Sequence, residues 1–206
     1  MKKIFINIIL FISFTINAQN SLSINTVTPD IESSFSIEVS LSNAEAVTGF
    51  QFDIDYDSNA FDLTSNHFLN TSRAENHTLN VSNISDNKLR ILVFSSNNSS
   101  IDIGTGTILT LNFLSKNEPG TYNLSFTNVI LSDSNGEQIA VSSTGSELNI
   151  LGPKFNLFTN NVTLRRVPLA SNPNIVIEVS NDGNKDLQIL SLKLQAPLSL
   201  NNSFPI

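Results

Sequence analysis

The sequence contains no cysteine and no tryptophan, and charged residues fill only 14% of its 206 positions. Without cysteine there is neither a disulfide framework nor a thiolate metal site. Without tryptophan, and with only two tyrosines, there is little material for the flat aromatic platforms that stack on sugar rings. Positive charge is scarce as well. Eleven Lys and Arg stand against eighteen Asp and Glu, a net charge of −7. That argues against nucleic acid, which is held by a basic face that displaces phosphate counterions. Neutral polar residues take the place of charge. The chain carries 29 Asn and 29 Ser, which hydrogen-bond their own backbone and favour turns and sheet rims over helix. The length admits one domain of ordinary size and part of a second.

Long apolar runs are limited to one. Met1-Lys2-Lys3 precedes the run Ile4 to Ile16, and Asn17-Ala18-Gln19 follows it. A basic start, an apolar stretch and a small-residue cut site form a secretory signal. The run of 13 residues is short of the roughly 20 that span a bilayer. Residues 1–18 are therefore read as a signal peptide cleaved after Ala18. The processed chain is expected to be a secreted protein of a bacterium, extracellular or at the cell surface. Its 9 basic residues then face 18 acidic ones. The sequons at Asn70, Asn76, Asn80 and Asn83 are read as asparagine bias of an AT-rich bacterial gene.

From Ser21 onward the apolar positions alternate, the period of a half-buried strand. Leu22, Ile24 and Val27 mark a first strand, and Phe35, Ile37, Val39 and Leu41 a second. Phe50, Phe52, Ile54 and Tyr56 alternate with Gln51, Asp53, Asp55 and Asp57. Leu79 to Val81 and Leu89 to Phe94 form a hairpin about Asp86-Asn87. Ile108 to Leu114 and Tyr122 to Leu131 continue the pattern, and Asp133-Ser134-Asn135-Gly136 reads as a hairpin turn. Ile139, Val141, Leu148 and Ile150 complete it. About nine strands in some 130 residues with no helical period predict an all-β, two-sheet sandwich over residues 19–151. Gly152-Pro153 marks a boundary. Residues 152–206 alternate again but number only 55, against the roughly 100 of an immunoglobulin-like domain, so this second β domain is expected to be truncated.

Three groups of residues have the side-chain types that carry chemistry. Asp53, Asp55 and Asp57 lie on one strand face at spacings of about 7 Å. Such carboxylates hydrolyse glycosides only when one is kept protonated, and a solvated face is the expected reading. Asp133, Asn135 and Glu137, with the Ser132 carbonyl, form a weak candidate for calcium, set against plain turn chemistry. His67 and His77 have no acidic partner at ligand spacing. The sequence has no nucleophile elbow, phosphate-binding glycine loop or zinc motif. Catalysis is not expected, and calcium is the one cofactor considered.

The run Gly49-Phe50-Gln51-Phe52-Asp53-Ile54-Asp55-Tyr56-Asp57, followed by Ser58 to Leu63, resembles the cohesin family. Gly106 to Phe113 is similar to the family's later core strand, and Gly120-Thr121-Tyr122 through Gly136 to its closing hairpin. The resemblance covers about residues 21–151 and implies a nine-stranded jelly-roll sandwich, related in fold to some carbohydrate-binding modules. It also implies a non-catalytic docking role. One sheet would receive a dockerin, a calcium-loaded helical module carried by polysaccharide-degrading enzymes. The strands concerned correspond to Gly49–Asp57 and Leu89–Ser96, with Gln51, Asp53, Asp55, Val93 and Ser96 as the outward candidates. A carbohydrate-binding module touching glycan directly, and a structural stalk of a larger surface protein, stay open beside it. In the tail, Ile175 to Ile189 resembles the ASPM/SPD-2/Hydin-type immunoglobulin-like repeat, found as a spacer in bacterial surface proteins.

Overall fold

The computed structural model describes residues 20–70, 72–158 and 177–191. The leader at 1–18 and residues 159–176 and 192–206 of the tail lie outside the described residues. In chain order the strands are β1 (Ser21–Ile24), β2 (Ser34–Asn43), β3 (Gly49–Asp55), β4 (Phe61–Leu63), β5 (Phe68–Leu69), β6 (Thr78–Ser85) and β7 (Lys88–Phe94). They continue with β8 (Gly104–Ser115), β9 (Gly120–Ser132), β10 (Gln138–Ile139), β11 (Ser142–Thr144), β12 (Ser146–Ile150), β13 (Phe155–Leu157) and β14 (Val179–Asn181). The first twelve build a sandwich. One sheet runs β11-β1-β2-β8-β4, with β5 also on β8, and the other runs β10-β9-β3-β7-β6, with β12 also on β9. Twelve segments stand where about nine strands were expected, because short pieces of two or three residues, β4, β5 and β11, add to them.

The alternation in sequence is the alternation in space. Ile37, Val39 and Leu41 of β2, Phe50, Phe52 and Ile54 of β3, Leu89, Ile91 and Val93 of β7, and Leu111 and Phe113 of β8 all point between the sheets and are buried. Burying a side chain of this size contributes roughly 1.5–3 kcal/mol each, so these eleven form a large part of the stabilising core. At one end Phe61 meets Phe113 edge to face at 5.3 Å, and Tyr56 lies 5.4 Å from Phe61. Both Ile108 and Leu109 are buried although adjacent, because a bulge inserts Ile108 into β8 between the rungs Val39–Leu109 and Ser40–Thr107.

A second bulge shapes the other sheet. Gln51 faces Ile130 and Asp53 faces Thr127, so β9 carries one residue more than β3 between those rungs. Asn128 takes up the excess at φ 52°, a conformation that Asn tolerates better than most residues. The loop before β6 is held by Arg73. Its Nη1 donates to the carbonyls of Leu41 (2.7 Å) and Gly106 (2.9 Å), and its Nη2 to those of Asp102 (2.9 Å) and Gly104 (3.0 Å) and to Asn43 Oδ1 (2.6 Å). Beyond the sandwich, β13 pairs antiparallel with β14.

Candidate functional site

The outer face of β6, β7, β3 and β9 is the surface on which the sequence candidates converge. The strand register sets it out in four rows: Thr78, Phe94, Gly49 and Ser132; Asn80, Leu92, Gln51 and Ile130; Ser82, Arg90, Asp53 and Thr127; Ser85, Lys88, Asp55 and Ser125. Adjacent strands lie about 4.8 Å apart, so Leu92 and Ile130 stand two strands apart with Gln51 between them. Leu92 is 38% exposed, Phe94 42% and Ile130 42%. The first two rows therefore form an apolar patch around Gln51 and Gly49, and the last two rows are charged.

The charged half is internally matched. Arg90 grips Asp53 with Nε to Oδ1 at 2.7 Å and Nη2 to Oδ2 at 2.9 Å. Asn128, carried outward by the β9 bulge, donates Nδ2 to Asp53 Oδ2 at 2.6 Å. Lys88 pairs with Asp55 at 2.7 Å and donates to Thr127 Oγ1, which in turn donates to Asp55 Oδ2. The Arg90 guanidinium holds the Asp53 carboxyl below the ordinary carboxylate range, with help from Asn128 and from the charge of Lys88 and against some desolvation. Asp53 is shut off from water by the side chains laid over it rather than by depth in the core.

The candidates of the sequence divide here. Gln51 and Asp55 are half-buried on this face, and Ser96 is exposed in the turn after β7. Asp53 faces outward but is covered completely, so it positions Arg90 and is not itself available to a partner. Val93 must be corrected. It pairs with Phe50 and is buried in the core, and the outward residues of β7 are Lys88, Arg90, Leu92 and Phe94. Leu92, Phe94, Ile130 and Arg90 were the residues missed. Counting β7 by twos from Arg90, the charged residue that cannot face a core, would have found the first two.

Asp133 caps its own turn. Its Oδ1 accepts the N–H groups of Asn135 and Glu137, both at 2.8 Å, and its Oδ2 accepts Asn135 Nδ2 at 3.2 Å. These bonds, that from Glu137 first, hold the carboxyl below its ordinary value. The geometry is that of the turn reading, in which the carboxylate serves the backbone. Among the described residues no three His, Asp or Glu side chains converge as metal ligands. His77, one residue before β6, has Nδ1 3.0 Å from the Glu75 carbonyl.

A polar cleft opens beside the charged rows, lined by Asp55, Asp57, Asn59, Asn87, Asn123 and Ser125. Some of its groups are already engaged: Asn87 Oδ1 accepts from the Ser58 N–H (3.0 Å), and Asp57 Oδ1 from the Asn59 N–H (2.9 Å). Tyr56, at its edge, is turned into the aromatic cluster.

A cohesin domain family model matches residues 21–151. The chain belongs to the cohesin family. Similar solved structures include a solution structure of the cohesin CaCohA2 from Clostridium acetobutylicum, 21% identical over 65% of this chain and 92% of that one, TM-score 0.57. A non-cellulosomal cohesin from the hyperthermophilic archaeon Archaeoglobus fulgidus is 16% identical over 66% of this chain and 93% of that one, TM-score 0.56. The sixth cohesin of scaffoldin B from Acetivibrio cellulolyticus, solved in complex with a Cel5 dockerin, is 23% identical over 64% and 98%, TM-score 0.56. No curated protein matches the chain. The cohesin sandwich expected from the sequence is the fold observed. In this cohesin domain β3 and β7 lie side by side within the β10-β9-β3-β7-β6 sheet, beneath the apolar and charged rows.

Proposed function

We propose that this cohesin domain is a secreted docking module that binds a dockerin-like protein partner through the outer face of β6, β7, β3 and β9. The observation that carries the reading is the apolar patch of Leu92, Phe94 and Ile130 beside the braced Arg90–Asp53 pair. Exposed apolar residues gathered on a flat face and rimmed by polar ones suit a protein partner. An arginine whose orientation is fixed before binding loses less entropy on docking. Gln51 lies within the patch, Ser96 follows it in the turn after β7, and Asp55 adds charge in the far row. Glycan binding in the neighbouring cleft is the weaker reading, because Asp55, Asp57, Asn59 and Asn87 already make hydrogen bonds within the protein and no ring is offered to a sugar. Residues 1–18 act as the export signal in this proposal, and residues 152–206 begin an immunoglobulin-like spacer that sets the module apart from whatever it is attached to.

The test is capture from the secreted proteins of the source organism, with the processed chain (residues 19–206) as bait, in calcium and in chelator. A captured protein carrying a dockerin module, released by chelator and lost with the double variant Leu92→Asp and Phe94→Asp, supports the reading. A variant on the opposite sheet, Thr110→Asp, should keep the capture. Retention of the partner by the double variant, or signal on polysaccharide arrays alone, overturns it.

A further inference from the structure

The pairing of β12 with β9 runs as far as Ile150 and Gly120. One step on, the partner changes. Gly152 donates its N–H to Asn184 Oδ1 at 2.8 Å, and its carbonyl accepts the backbone N–H groups of Asn184 (3.0 Å) and Lys185 (3.2 Å). The other end of the same side chain, Nδ2, donates to the Ile150 carbonyl at 2.9 Å and to Asn149 Oδ1 at 3.1 Å. In an extended chain the C=O of one residue and the N–H two residues later lie along one edge. A primary amide offers one acceptor and two donors, so Asn184 closes onto Ile150 and Gly152 as a neighbouring strand would.

The same turn is fastened from a second side. The Lys154 N–H donates to Asn181 Oδ1 (2.9 Å), and the Asp182 N–H donates to the Lys154 carbonyl (2.8 Å). Backbone meets backbone so closely that a Cβ on Gly183 would fall 2.3 Å from the Gly152 carbonyl oxygen and 2.4 Å from Lys154 N. Asn181 braces the turn itself, donating Nδ2 to the Lys185 carbonyl at 2.7 Å and accepting the Gly183 N–H at 3.1 Å. Two exposed ion pairs flank the contact, Lys154 with Glu118 and Lys185 with Asp30. Such pairs contribute little by themselves, so the main-chain hydrogen bonds carry the contact.

We infer that residues 152–154 are a stiff joint in which the turn Asn181–Lys185 docks on the C-terminal edge of the cohesin sandwich, with Asn184 as its latch. A Gly-Pro boundary in sequence reads as a hinge between independent bodies. Here the glycine supplies the edge and the following β-segment returns to cover it. The consequence is orientation: the β6–β7–β3–β9 face is held in one direction relative to the start of the next segment, instead of sampling many. This inference does not depend on which partner that face binds.

Backbone 15N relaxation and amide exchange on the processed chain test it. Residues 177–185 should tumble with β12 and β9, and the amides of Gly152, Lys154 and Asp182 should be protected. In Asn184→Ala those amides should exchange about tenfold faster, and residues 177–185 should gain independent motion while the amides of β3 and β7 stay protected. Gly183→Val should produce the same release by steric exclusion; should that variant not fold, Asn184→Ala decides alone. Independent tumbling of 177–185 in the wild-type chain, or unchanged exchange in Asn184→Ala, overturns the inference.

Discussion

Asp53 lies on the outer face of a sheet and has none of its surface exposed. A carboxylate in that position is tolerable only because three hydrogen bonds reach it, two from Arg90 and one from Asn128. Removing it as Asp53→Ala leaves Arg90 without its brace and should cost about 1–3 kcal/mol of stability, measured by denaturant unfolding at pH 7. The pH dependence has a definite sign. Because the folded carboxyl titrates below its ordinary value of 3.8, its contribution is complete above that value and is lost as pH falls through the lowered one. The stability gap between wild type and Asp53→Asn should therefore be widest near neutrality and narrow below about pH 3.8. A gap that is constant from pH 7 to pH 2.5 would show that the carboxylate charge plays no part.

At the scale of the element, what was readable was whatever a single strand carries in its own period. β2 and β3 alternate cleanly, so their existence and their buried faces were legible, as was the Asn135-Gly136 turn. The charged row was not, because it arises between strands: Asp53 and Arg90 are 37 positions apart, and Asn128 reaches them only through a bulge that leaves no periodic trace. Val93 shows the same limit from the other side. β7 is apolar from Leu89 to Phe94 apart from Arg90, and a run apolar on both faces does not announce which side is core. β4 and β5 were too short to show a period. Arg73 was invisible for a related reason. It is one arginine in a polar loop, and its role comes from gathering the Leu41, Asp102, Gly104 and Gly106 carbonyls with Asn43. Lysine has no fork to make those contacts. Arg73→Lys should lose about 2–4 kcal/mol and raise amide exchange in residues 95–104, where the loop entering β8 depends on it. A loss below about 0.5 kcal/mol would reduce the cluster to a surface contact.

At the scale of the whole molecule, the two sheets present unlike surfaces. The outer side of β2 and β8 is largely hydroxyl and amide, with Ser42 and Thr105 bonded at 2.7 Å and Thr107 donating to Glu38 at 2.9 Å, and its exposed large apolar residues are Leu114 and, on β5, Phe68, whereas the other sheet gathers Leu92, Phe94 and Ile130. That asymmetry supports the proposed docking role over that of a stalk. The core shared by both sheets closes before the joint: every buried apolar side chain among the described residues falls between Leu22 and Ile150, and the family match ends at residue 151. The tail is latched onto a finished sandwich and does not complete it. A chain ending at Leu151 should therefore unfold cooperatively, melting within about 5 °C of the longer chain, since losing the Asn184 contacts removes edge hydrogen bonds and no core area. Thermal unfolding followed by circular dichroism, with the near-ultraviolet signal of Tyr56 and Tyr122 as the packing reporter, measures this directly. Loss of that signal, or a non-cooperative transition, would mean that residues after 151 are part of the folding unit, and that the joint is a structural member of the domain.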